Sequence, residues 1–479
     1  MLFNSHIFIL LFLPLLLAGW YFLNWKKKFQ LAQGYLIGMS LWFYAYANLQ
    51  YLWLLLFSCL IGWLLSCVPE KISSEKGKKV LTGVGCVFHL GLLGYFKYSN
   101  FFLENLNTVF HTDFPMLQIL LPVGISFYTF QQLAYLIDRC RKDAPRDSFF
   151  DYLTFMVYFP QLLQGPILLR SEFMEQLKEP ERRRFHAERF SEGIQFFVFG
   201  LAKKVLLADT LAKAVNYGYS NVSMLDSISA LLLAVGYLTE LYFDFSGYCD
   251  MAVGLGKMIG LEVAENFDAP FHSASVKEFW RRWHMTLGRF FTRYVYIPLG
   301  GNRRGKMRTL CNVMIVMLLS GLWHGAAWTF VLWGFLHGVG MIWDNLEHPH
   351  LPKKWMRQAA TFAYVCMTFV FFRAESIAQG IDVLKSIVSL KWNGFVFQMA
   401  SALDMTECYM ITKALSMKLP GLLSWFWLGI FVVLIAICFR VLSGKKVSGV
   451  VALQRQKGYG RLYPVVLAVL FTWSMISMA

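Results

Sequence analysis

Charge is scarce in this 479-residue chain: 15% of its residues are charged, against 57% hydrophobic. Soluble domains carry roughly a quarter charged residues, so a soluble fold is set aside. Acidic residues are the scarcer sign, 29 against 45 Lys and Arg. None of the nine cysteines stands in a CxxC pair, and Cys59, Cys67, Cys366 and Cys438 lie inside apolar runs. They read as small hydrophobes, which excludes a disulfide framework and leaves no metal site to expect. No HExxH, P-loop or GxSxG occurs, so metalloprotease, NTPase and serine-hydrolase chemistry each lack their motif. No internal repeat or low-complexity tract is present. No basic residue precedes the first apolar run and no A-x-A-like cleavage site closes it, so that run reads as a retained span.

What the chain has instead is length of apolar sequence, with 44 Phe and a mean hydropathy of +0.48. A helix crosses the hydrocarbon core in about 20 residues. Candidate spans fall near 3–23, 31–47, 52–67, 80–98, 193–207, 228–243, 248–261, 310–322, 326–343, 359–372, 422–440 and 463–478. Segments 117–137 and 152–169 are apolar but broken, at Pro122 and Gly124 and at Pro160 and Gly165-Pro166. Irregular backbone at membrane depth needs protein or a cavity around it, so both read as kinked or re-entrant. The expectation is an all-α polytopic membrane protein with roughly 10–12 embedded helices. It forms one membrane domain over 1–479, with N-terminal spans in 3–98, a motif-bearing core at about 117–345 and C-terminal spans in 359–478.

The net charge of +16 reads as the positive-inside effect, not as a nucleic-acid interface. Placing Lys26–Lys28, Lys71 to Lys79 and Lys445 to Arg461 in the cytoplasm puts both termini outside. A basic inner face would also attract anionic lipid or a phosphate-bearing donor.

Between residues 279 and 294, one continuous helix would place Phe279, Trp280, Trp283, Leu287, Phe290, Phe291 and Tyr294 in one arc. Arg281, Arg282, Arg289 and Arg293 would lie opposite. This suits either a helix lying in the membrane interface or an ordinary surface anchor; His284 sits at the edge of the arc. His324, in Gly321-Leu322-Trp323-His324-Gly325-Ala326-Ala327-Trp328, interrupts a long apolar stretch. An ionisable residue there is a functional candidate, and imidazole titrates near neutrality. The alternative is a histidine hydrogen-bonded between helices. Gly325 and the alanines would leave room beside it. For His337 the structural reading is the stronger, and His89 has no supporting context. Asp244 and Asp250 flank Ser246-Gly247: either a helix break with Asp244 on backbone N–H groups, or, with His324, a proton relay of a transporter or flippase.

Six motifs in order resemble the membrane-bound O-acyltransferase (MBOAT) family. They are LPVGISFYTF at Leu121–Phe130, FPQLLQGP at Phe159–Pro166, YFDFSGY at Tyr242–Tyr248, FWRRWH at Phe279–His284, YIPLGGN at Tyr296–Asn302 and WHGA at Trp323–Ala326. The likeness is to the branch containing the alginate O-acetyltransferase membrane subunit. The teichoic-acid D-alanyl transfer protein resembles it more distantly. The resemblance implies a ring of tilted and re-entrant helices around a central tunnel. It implies His324 as catalytic histidine and His284, 40 positions earlier, as the second functional position.

It further implies O-acylation of an exported or cell-surface polysaccharide, in a bacterial cytoplasmic membrane. The acyl group, acetyl first, would come from a cytosolic thioester, with no permanently bound cofactor. Acetyl-CoA is the expected donor; an acyl carrier protein thioester, or D-alanyl transfer to a cell-wall polymer, is the alternative. An extracytoplasmic esterase-like transferase or acceptor protein would be the partner. Arg281, Arg282 and Trp283 are expected on the donor side, and Trp323, Gly325 and Trp328 along the tunnel. In this chemistry His324 takes the proton of an attacking hydroxyl, and His284 or a neighbouring indole N–H steadies the oxyanion.

Overall fold

The computed structural model describes residues 1–68, 72–346, 351–442, 446–457, 460 and 462–478; Lys71, Lys445 and Arg461 of the expected inner face lie outside them. Every regular element among the described residues is a helix. Long apolar runs require this, because a helix pairs its backbone groups within one segment when no water is at hand. Six helices are long and apolar enough to cross a membrane: Phe8–Trp25, Leu49–Cys67, Glu75–Phe110, Ser227–Ile259, Lys306–His324 and Pro420–Val441. Trp328–Trp343 and Leu462–Ser477 are shorter apolar helices. The chain is a multi-pass membrane protein.

Chain contacts divide it into two compact units. The first comprises Met1–Phe197, Cys249–Glu265 and Thr286–Pro298; the second comprises Val198–Tyr248, Asn266–Met285 and Leu299–Ala479.

The first unit is organised around Phe3, Phe8, Phe12, Phe43 and Phe159, whose ring centroids lie 5.0–6.2 Å apart in a fully buried cluster. Helix Glu75–Phe110 has 36 residues, about 54 Å at ~1.5 Å per residue, longer than the hydrocarbon core. The two expected breaks are present. Helix Ile125–Arg141 begins only after Gly124, and the second segment splits into Phe149–Val157 and Phe159–Leu162 before an irregular stretch. Several polar groups in this unit satisfy one another. The Tyr152 hydroxyl donates to Gln132 Oε1 (2.9 Å), Gln132 Nε2 donates to Ser58 Oγ (2.7 Å), and Ser58 lies 3.4 Å from His89 Nδ1. His89 thus belongs to a structural cluster joining helices. Arg170 grips the buried Asp147 carboxylate with two N–H groups. Phe290 stacks on Phe130 at 4.1 Å, Arg289 pairs with Glu172, and Arg293 pairs with Asp138 and Asp143.

In the second unit the expected break at Ser246-Gly247 is absent: Ser227–Ile259 is one helix of 33 residues, not two spans. Glycine serves packing there. A Cβ on Gly247 would stand 2.7 Å from the Gly200 carbonyl oxygen. Nor does Asp244 accept from its own backbone; it forms an ion pair with Lys204 (2.5 Å), which also reaches Asp209 (2.6 Å). A carboxylate within an apolar helix is matched by a cation from its neighbour, as the low dielectric demands.

The hairpin of Lys306–His324 and Trp328–Trp343 is the tightest contact of this unit. Gly321 and Gly334 face each other across it. A Cβ on Gly334 would lie 2.5 Å from the Met317 carbonyl oxygen, and one on Gly321 would lie 2.3 Å from that of Phe330. Small residues allow backbones to approach in this way. Helix Lys354–Arg373 packs on the hairpin, and Tyr364 donates to the Leu336 carbonyl (2.6 Å).

Gly334→Ala forces two backbones apart and should cost about 1–3 kcal/mol. Gly338→Ala meets only the movable thioether of Met314, at 2.6 Å, and should cost far less. Thermal unfolding in detergent compares the two; equal losses would contradict a backbone-limited hairpin.

Candidate active site

The hairpin determines where His324 stands. It is the last residue of Lys306–His324, and Gly325, whose N–H returns to the Gly321 carbonyl (3.3 Å), ends the helix. The imidazole therefore sits at a helix terminus, partly exposed, not within a continuous span. Its ring is bracketed by Trp323 at 5.0 Å, Trp333 at 5.1 Å and Phe372 at 5.1 Å. The space beside Gly325 is occupied by the Phe330 ring, which a Cβ there would meet at 2.1 Å. Trp328 opens the returning helix and is mostly exposed.

His284 is brought to the same place. The expected continuous helix over 279–294 is interrupted: Val276–Arg282 and Met285–Phe291 are separate helices. Between them Trp283 bends and His284 takes a left-handed backbone, φ +45°. Such a conformation costs a non-glycine residue about 1–2 kcal/mol and persists where its surroundings dictate it. The segment after Glu265 does so. Asp268 N–H donates to the Arg282 carbonyl (2.9 Å) and Met285 N–H to the Asn266 carbonyl (3.0 Å). The aromatic arc is core, not a lipid-facing anchor. Trp283 is buried among Tyr242, Phe267, Phe271, Phe279 and Phe369. Arg282 is tied to Glu278 (2.7 Å), whereas Arg281 is exposed.

The turn at 283–284 points the His284 ring inward. It is 1% exposed and touches Phe245 at 4.7 Å, Trp323 at 6.1 Å and His324 at 6.5 Å between centroids. Its Nδ1 lies 3.2 Å from the side-chain oxygen of Asn266. An amide oxygen only accepts, so Nδ1 carries the hydrogen and Nε2 presents a lone pair. His284 lies outside the membrane-spanning helices, and burial pushes its pKa down to about 3. It is neutral at pH 7, and its bare Nε2 can hold a hydroxyl proton but cannot donate to an oxyanion.

His337 is a satisfied core residue. Trp280 Nε1 donates to its Nδ1 (3.2 Å), and its Nε2 donates to Thr368 Oγ1 (2.9 Å), whose own hydrogen goes to the Val365 carbonyl. Asp244, considered for a proton relay, is neutralised by Lys204. Phe245 lies in the YFDFSGY motif, whereas three site residues escaped the sequence reading: Asn266, Trp333 and Phe372. For Trp333 a signal existed, its place in the returning helix of the hairpin; for Asn266 and Phe372, spacing carries none.

The sequence model of the membrane-bound O-acyltransferase family matches residues 142–381, which include both histidines. The chain is 36% identical over 423 residues to a peptidoglycan O-acetyltransferase of Helicobacter pylori, covering 81% of this chain and 80% of the relative. It is 39% identical over 389 residues to a probable alginate O-acetylase of Azotobacter vinelandii, covering 79% and 76%. A teichoic acid D-alanyltransferase of Bacillus subtilis is more distant, 28% identical over 274 residues and covering 53% and 69%.

Because His284 is neutral when folded but binds a proton below about pH 6.5 when unfolded, its burial stabilises less as pH falls from there. The unfolding midpoint should drop between pH 7 and pH 4, and His284→Asn should make that drop shallower. Superimposable pH profiles for the two proteins would remove the buried-neutral assignment.

Proposed function

The chain belongs to the membrane-bound O-acyltransferase family and is an acyltransferase; from that premise we propose that it takes an acetyl group from a cytosolic thioester and delivers it across the membrane for O-acylation of an exported or cell-surface polysaccharide. The observation that carries the reading is the pairing of His324 with His284 at 6.5 Å, one imidazole accessible and the other locked in a single tautomer. The relatives' names, peptidoglycan and alginate O-acetylation, support the class of acceptor.

The chemistry follows from the two environments. A hydroxyl oxygen attacks the thioester carbonyl carbon, and His324 takes the hydroxyl proton as the C–O bond forms. His284, its ring fixed by Asn266, lies 6.5 Å from His324 and positions the base and the incoming oxygen by packing. The tetrahedral species then expels the thiolate as the C–S bond breaks, and His324 returns the proton to sulfur. The aromatic walls exclude water, which protects the thioester from hydrolysis.

On the donor side we propose acetyl-CoA, with a carrier-protein thioester as the competing source. The exposed cations Arg303, Arg304, Lys306 and Arg308 would draw either set of phosphates to that loop. With that loop cytosolic and both termini outside, the product leaves on the far side, to an extracytoplasmic esterase-like transferase.

Purified protein in lipid nanodiscs, given labelled acetyl-CoA and a polysaccharide hydroxyl acceptor, should release CoA and transfer the label to the acceptor. His324→Ala should abolish turnover, and His284→Ala should lower it by on the order of 10²-fold without loss of folding. The rate of the native protein should fall on acidification as His324 is protonated, with a single-proton limb because His284 stays neutral there. Turnover retained by His324→Ala, or a flat profile well below neutral pH, would sink the assignment.

A further inference from the structure

The geometry points to Trp333 as the group that donates a hydrogen bond to the acyl carbonyl oxygen as it becomes an oxyanion beside His324. The inference rests on the acyl-transfer reading above and supplies what that site lacks. A tetrahedral intermediate places a full charge on oxygen, and removing one donor to such an oxygen slows catalysis by about 10²–10³-fold. His284 cannot be that donor, because its one hydrogen lies on Nδ1 and goes to Asn266.

Trp333 is completely buried, and its Nε1–H has no hydrogen-bond partner among the described residues. Leaving such a donor unpaired costs about 1–3 kcal/mol. The surrounding cluster shows that pairing an indole is within its means. Trp280, 5.6 Å from Trp333, has its N–H on His337, and His337 is completed by Thr368. Trp333 touches His324 edge to face at 5.1 Å and 86°, and it comes from the returning helix of the hairpin, opposite Trp323.

The ring is held on its other sides by His337 at 4.8 Å, Phe369 at 5.5 Å and Phe372 at 5.1 Å. Its N–H is therefore fixed before substrate arrives and needs no reorganisation during the reaction, which is what makes such a donor effective. Atoms and charges balance without its taking part covalently. The carbonyl π electrons move onto oxygen as the new C–O bond forms, Trp333 N–H bonds to that oxygen, and the electrons return as the thiolate departs.

The test uses full-length protein in nanodiscs with labelled acetyl-CoA as probe and the same polysaccharide hydroxyl acceptor, reading kcat, KM and the thermal midpoint together. Trp333→Phe keeps an aromatic wall and removes the N–H. It should lower kcat on the order of 10²-fold and leave KM within about threefold and the midpoint unchanged. Trp333→His restores a ring N–H and should recover part of that loss. If Trp333→Phe does not fold, benzothienylalanine at 333, the same bicycle with sulfur in place of N–H, carries the same expectation. A kcat within threefold of the native value, or a loss that follows the thermal midpoint or KM, overturns the donor role. With His324→Ala inactive, that result removes Trp333 alone; with His324→Ala active, the acyl-transfer reading itself falls.

Discussion

A polar group at membrane depth has no water to turn to, and most of this protein's internal arrangement follows from that constraint. Asp244 finds Lys204, Asp147 finds Arg170, Gln132 stands between Tyr152 and Ser58, and His337 stands between Trp280 and Thr368. Each is a closed arrangement in which donor meets acceptor, so each fixes helices and is unsuited to chemistry. The residues around His324 and His284 differ in kind. One imidazole is partly exposed, one presents a bare nitrogen, and Trp333 Nε1, like several other buried polar atoms, has no hydrogen-bond partner among the described residues.

The positions of these groups depend on two backbone devices. The Gly321–Gly334 contact draws the hairpin together and puts His324 and Trp333 on facing turns. The left-handed backbone at His284 breaks what would otherwise be one amphipathic helix and turns an imidazole from a helix edge into the protein. Strain of this size is affordable only where neighbours hold it, here the Asn266–Asp268 segment along the turn. Asn266 acts twice, through its carbonyl on Met285 N–H and through its side chain on His284. The same residue therefore fixes both the bend and the tautomer.

This explains what could be read from the chain and what could not. Long apolar runs and the breaks at Pro122–Gly124 and Pro160 are local properties, and the structure follows them. His324 stands out through the ordered motifs around it and not through its apolar run, since His337 and His89 lie in apolar runs too and are structural. The helix through 279–294 was misjudged because periodicity assumes unbroken α backbone, and a tertiary contact from Asn266–Asp268 overrides it. Ser246-Gly247 was misjudged for a related reason. Glycine signals either a hinge or a close approach, and only the Gly200 carbonyl beside it decides between them. Asn266 and Phe372 lie 58 residues before and 48 after His324, and no pattern in the sequence links them to it.

The division of labour proposed for the two histidines rests on their burial. A base must exchange its proton with substrate and product, so it needs access and a pKa near working pH. The partly exposed His324 meets the first condition. A fully buried imidazole, desolvated until it stays neutral, cannot carry a proton through the cycle, but it is an excellent fixed acceptor. Had both rings been equally exposed, either could have served as base. Because one is sealed behind Phe245 and Asn266 and the other stands at a helix end, the proposed reaction gives the proton to His324.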